Sequence, residues 1–110
     1  MAQQHLQAGS KVNLSPLGPG MAGARTTAIV KGRQLEVVRV VLQAGQHMKE
    51  HKAPGEMTVH CMEGCLEFRT PGVHHVLEPG DFIHLEAATP HSLLAVRDSS
   101  ALVTMSIHVA

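Results

Sequence analysis

The sequence predicts an all-β domain of the sandwich or barrel class, and three observations predict it. Short runs rich in β-branched residues recur along the chain. Turn residues punctuate them about every 8 to 15 residues. No segment sustains a helical period bounded by helix start and stop residues. A jelly-roll barrel is one closed solution for such a series.

The elements follow in order. Residues 1–20 are rich in Gln, Gly, Ser and Pro and read as an irregular arm, suited to packing on a neighbouring molecule. Residues 21–110 read as one barrel domain. TTAIVK and LEVVRVVL are strands separated at Gly32-Arg33, and TVHCMEG and CLEFR are strands interrupted at Gly64. Thr70-Pro71-Gly72-Val73 is a turn before VHHVL. Glu78-Pro79-Gly80-Asp81 is a second, and Pro followed by Gly suits a type II turn. DFIHLE, SLLAVR and ALVTMSIHV complete the series, with a last turn over Arg97 to Ser100.

Composition narrows the function. A chain of 110 residues favours one domain. Nine Lys and Arg balance nine Asp and Glu, so there is no electrostatic footprint for nucleic acid or an anionic membrane. With two Phe, no Tyr and no Trp, base stacking is not expected. No apolar run reaches the roughly 18 residues of a membrane span. MAQQHLQAGS lacks the basic and apolar regions of a secretory leader, and two cysteines are few for a disulfide scaffold. A cytoplasmic protein with reduced thiols is expected.

Two segments carry chemistry. GQHMKEHKAPGEMTVHCMEG spans Gly45 to Gly64, and GDFIHLEAATPHSLLA spans Gly80 to Ala95. Together they resemble the two motifs of the cupin superfamily. Gly45 precedes His51 at the family's spacing, Gly64 closes the first motif, and Thr89-Pro90 precedes His91 in the second. The resemblance implies a double-stranded β-helix, or jelly-roll barrel, and a homodimer.

The same comparison exposes departures. The family's second histidine falls on Ala53 and its glutamate on Met57, so a set of three histidines and one glutamate is reduced to His51 and His91. Glu56 is one residue off, and adjacent strand residues face opposite sides. His47 lies four residues before His51, on the same face of a regular strand. At about 3.3 Å per residue, roughly 13 Å would separate them. Two nitrogens sharing one zinc lie within about 4 Å of each other, so His47 joins only if the strand bulges. His84 is the best candidate for a third ligand. Met57 offers a thioether that a soft ion such as Cu(I) accepts, or it fills an apolar gap.

Other features carry less. Cys61 and Cys65 are separated by three residues and by Gly64, and they read as free thiols. His74 and His75 face opposite sides of a strand and cannot clamp one ion. No Gly-x-Ser-x-Gly elbow or phosphate-binding glycine loop is present.

The expectation is therefore a small-molecule-binding domain with no tightly bound cofactor and at most a weakly bound divalent metal. His51 and His91 supply its polar contacts, while Met57, Val59 and Cys61, which share a face, wall the pocket. The second reading is a metal-dependent oxygenase, isomerase or decarboxylase, with the ion on His51, His91 and His84 or Met57. If the two histidines lie side by side without metal, like-charge repulsion should lower at least one pKa below about 6.5.

Overall fold

The computed structural model describes residues 5–107. After the arm, a 3-10 helix covers Gly18–Gly23, so the arm ends inside this short turn of helix rather than before it. Seven strands follow: β1 Thr27–Lys31, β2 Leu35–Leu42, β3 His47–His51, β4 Met57–Thr70, β5 Val73–Leu77, β6 Phe82–Leu85 and β7 His91–Ser106. They form the jelly-roll barrel that the strand pattern predicts.

Two long antiparallel strands organise it. β4 and β7 pair along their length, from Met57 opposite Met105 to Arg69 opposite Ser92. Beside one half lie β2, which also pairs β1, and β6. Beside the other half lie β3 and β5. The long strands change direction where the β4–β7 register shifts between Cys61 and Leu66. Bulges of this kind let a strand pass from one layer to the next.

Gly64 is the residue that permits the corner. Its φ is +88°, and a Cβ there would lie 2.2 Å from Ser99 Oγ and 2.3 Å from the Asp98 carbonyl. Ser99 is fully buried. Its Oγ accepts from the Cys65 N–H at 2.9 Å and donates to the Arg97 carbonyl at 2.7 Å. The bulge also shifts β4 by one residue, so Met57, Val59 and Cys61 face inward before it and Leu66 and Phe68 after it. These residues share a single core with Val40, Leu42, Leu77, Leu85, Leu93, Ala101 and Val103.

The arm is fastened to its own chain. The Glu63 carboxylate accepts from the backbone N–H groups of Leu17 and Gly18, at 2.8 and 3.0 Å, and from the Ser100 hydroxyl. Arg39 Nη2 donates to the Ser15 carbonyl at 3.1 Å. Ser15 to Gly18 thus lie on this chain's own sheet. Burial works against ionisation of Glu63, but the bonds from Ser100, Leu17 and Gly18, with Arg39 nearby, hold its pKa below the usual value.

The two Pro-Gly turns fold as read, but Arg97 to Ser100, read as a last turn, lies inside the unbroken strand β7, beside the β4–β7 register shift. Thr70 pairs Val73 across Pro71-Gly72, with Gly72 at φ +73°. At the second turn, the Asp81 N–H reaches the Glu78 carbonyl at 2.9 Å, with Gly80 at φ +96°.

Candidate functional site

The site is built where β3 meets the start of β7. His47 pairs Leu94 and Met48 pairs Leu93, but the next partners are His51 and His91. Three residues of β3 thus span two of β7, which is a bulge. Its consequence is a change of face. In a regular strand His51 would share its side with His47; the bulge places it with Met48 on the inner side. His47 lines a separate open cleft with Lys49, Glu67 and Arg69.

His51 and His91 meet with ring centroids 4.3 Å apart and planes tilted by 59°. Their burial differs: His51 is exposed, whereas His91 is 2% exposed. Each ring is held in the same way. His51 Nδ1 lies 2.8 Å from the Lys49 carbonyl, and His91 Nδ1 lies 2.9 Å from the Thr89 carbonyl. A carbonyl oxygen only accepts, so each Nδ1 carries the proton and each neutral ring keeps its lone pair on Nε2. Phe68 stacks parallel to the buried ring, 5.7 Å between centroids and 3° between planes.

His91 is held below the ordinary imidazole pKa of 6.5. Burial is the largest cause; the Thr89 carbonyl opposes it, and the charge of His51 adds to it. The direction is the one expected of a side-by-side pair, but desolvation outweighs the like-charge repulsion that the sequence suggests.

Both rings line a cavity of about 340 Å³ at the barrel mouth. Its walls are mostly aliphatic and thioether: Val38, Val40, Met48, Met57, Val59, Leu93, Val103 and Met105. Glu36 and Lys52 add one charge of each sign. The APGE turn closes one side. Gly55 packs so closely on the end of β7 that a Cβ would lie 2.2 Å from the Ser106 carbonyl. The Ala53 carbonyl accepts from the Ala88 N–H at 2.9 Å, tying the loop after His51 to the loop before His91. Ala88 stands at φ +61°, which glycine tolerates better than alanine.

Of the residues singled out from the sequence, the structure gathers His51, Met57, Val59 and His91 around this cavity. Cys61 and His84 lie elsewhere. Cys61 shares the inward face with Val59, as its parity requires, but sits deeper. It is fully buried, and Sγ approaches the Leu77 and Glu63 carbonyls at 3.6 and 3.7 Å. Burial pushes its thiol up to about 11, so it is a packed core group and no nucleophile. His84 pairs in register with Thr58, on the outer face, while its neighbour Leu85 turns inward beside Met57. Its Nε2 lies 2.9 Å from Glu56 Oε1, and both side chains are exposed. The expected third ligand therefore points away from the histidine pair.

Several lining residues escaped the sequence reading. Met48 was hidden because the β3 bulge is silent in the sequence. Met105 was legible in principle, since it alternates with Val103 and Ala101. Phe68 could be placed behind His91 only after the Gly64 bulge had shifted the parity of β4.

The comparisons with known proteins agree with this architecture. A family profile described as Cupin domain matches residues 38–108. The chain belongs to the cupin family. Its fold is also that of solved structures. A conserved protein of unknown function from Streptococcus pyogenes superposes with a TM-score of 0.79 at 20% identity, over 100% of both chains. An RmlC-like cupin from Shewanella frigidimarina NCIMB 400 gives 0.73 at 18%, covering 96% of this chain and 93% of that one. The DMSP lyase DddQ from Ruegeria pomeroyi DSS-3 gives 0.71 at 23%, covering 88% and 55%. At these identities the likeness is one of fold. No curated protein matches the sequence.

Cupins often bind a metal. Among the described residues, no group of three or more His, Cys, Asp or Glu is arranged to hold an ion. The motif resemblance sets Ala53 and Met57 against the family's second histidine and its glutamate. Of the four family ligands two imidazoles remain, one short of the three protein ligands usual at a catalytic zinc. Glu36 also lines the cavity but forms no three-donor group with them, and the Met57 thioether suits only a soft ion such as Cu(I). The residues present do not fit a tight first-row divalent ion. Among the described residues, no helix is long and apolar enough to cross a membrane.

Proposed function

We propose that this cupin domain binds a small molecule in the cavity beneath His51 and His91, and that it does so without a tightly held catalytic metal. The supporting observation is an apolar cavity of about 340 Å³ into which two adjacent imidazoles open. That volume lies at the low end of small-molecule sites, and barrel mouths are common places for them. The thioethers of Met48, Met57 and Met105 make the walls adaptable, because unbranched side chains reshape readily around a guest.

Methyl NMR tests the reading. With methionine methyls labelled, a fragment that enters the cavity shifts Met48, Met57 and Met105 together. Val59→Phe, which fills the cavity, abolishes the shifts. A broad fragment set that leaves these three methyls unmoved contradicts the proposal.

A further inference from the structure

The class of ligand follows from the hydrogen-bonding state of the two histidines, and this step rests on the small-molecule reading above. We infer that the site takes a compact, uncharged, largely apolar molecule bearing a hydroxyl of phenol or enol type, whose O–H donates to Nε2 of His91 or His51.

Four observations carry this. The Lys49 and Thr89 carbonyls consume the Nδ1–H of each ring, so the cavity is offered lone pairs and no ring donor. His91 is 2% exposed, and its Nε2 makes no hydrogen bond with any described residue. That nitrogen is not sealed in: among the described residues, Arg39 Nε is the one enclosed side-chain nitrogen or oxygen without a partner. It therefore borders the cavity that the ring lines, as an acceptor awaiting a donor. Finally, Glu36 and Lys52 offset each other, leaving no net charge to draw an ion.

The size is bounded too. About 340 Å³ corresponds to roughly eleven waters at liquid density, enough for a single ring with small substituents. A carboxylate of the same size would place its oxygens against two lone pairs. An ether would fill the cavity but leave both nitrogens unmet, which costs affinity because a buried acceptor loses its water without replacement.

Three probes of nearly equal shape separate these cases: phenol, anisole and benzoate, titrated at pH 8, where ordinary imidazoles are neutral. Dissociation constants come from calorimetry, and the site is assigned from the methyls of Met48, Met57 and Met105. Phenol is expected to bind about tenfold more tightly than anisole. In the double variant His51→Ala/His91→Leu the ratio of the two affinities is the readout, and the roughly tenfold advantage of phenol over anisole should fall to about one. Equal binding of phenol and anisole at the methionine methyls overturns the donor inference while leaving the small-molecule reading standing. Tighter binding of benzoate than phenol also overturns it and assigns recognition to Lys52. Failure of all three probes to move the methyls overturns the inferred ligand class, and the broad fragment set then decides the small-molecule reading separately.

Discussion

His51 and His91 face each other across a bulged strand pair, each ring pinned through Nδ1 to the carbonyl two residues before it. One ring is exposed and the other is buried against Phe68. The pair is therefore asymmetric: the buried ring resists protonation and the outer one meets solvent.

That asymmetry has a pH signature. The folded-state pKa of His91 lies below its unfolded value of 6.5, so the unfolded chain binds more protons as the pH falls past that value. Stability should decline as pH drops from about 6.5 toward the folded-state pKa. Glu63 adds a separate, more acidic loss. Its stabilisation is present above 4.5 and disappears as pH falls through its lowered folded-state pKa. Urea midpoints at closely spaced pH values should show both declines. His91→Phe should remove the first and keep the second; a wild-type midpoint flat between pH 7 and 5 contradicts the assignment.

Ala88 is expected to be a strained residue. At φ +61° its Cβ crowds the backbone, and glycine relieves that cost. Ala88→Gly should raise stability by about 1 kcal/mol, read as a higher denaturation midpoint at unchanged slope. A lower midpoint would show that the conformation is not strained.

Gly64 should tolerate nothing larger. A methyl there meets Ser99 Oγ and the Asp98 carbonyl, and the φ of +88° is unfavourable for alanine. Gly64→Ala is expected to cost about 3 kcal/mol or more. Gly45→Ala is the control: its φ is +85° but no atom lies within 4 Å, so it reports conformational strain alone. Equal losses in both variants would mean that the corner is not tightly packed.

Self-association is a further expectation. β1 ends the strand order, and an edge strand needs a cover. The arm reaches it through the Leu6 N–H to the Ile29 carbonyl, and Val12 beside it is 51% exposed. We propose a homodimer formed along this edge. Light scattering at micromolar concentration should give twice the chain mass, and Val12→Asp should shift it toward the monomer. A monomeric wild-type chain contradicts the proposal.

How far the sequence reached is instructive at particular residues. Most strands and the two Pro-Gly turns were legible because alternation and turn chemistry are local, whereas the polar run Arg97 to Ser100 reads as a turn and is continuous β7. The pairing of His51 with His91 followed from family spacing. The inward turn of His51 did not, because it depends on a bulge between Met48 and His51 that no residue type announces. The face of His84 depended on its register against Thr58, a long-range property set by the whole sheet. Cys61 had the right parity but the wrong depth, since alternation fixes a side and not a distance from the mouth.

The central claim is that His51 and His91 serve a small-molecule cavity and not a tight metal centre. Elemental mass spectrometry tests it most directly, on protein purified without chelator or affinity tag, then exposed to iron, zinc, nickel, manganese and copper and desalted. The account predicts metal far below one ion per chain, unchanged in His51→Ala and His91→Ala. Near-stoichiometric retention of one ion, lost in both variants, would contradict it.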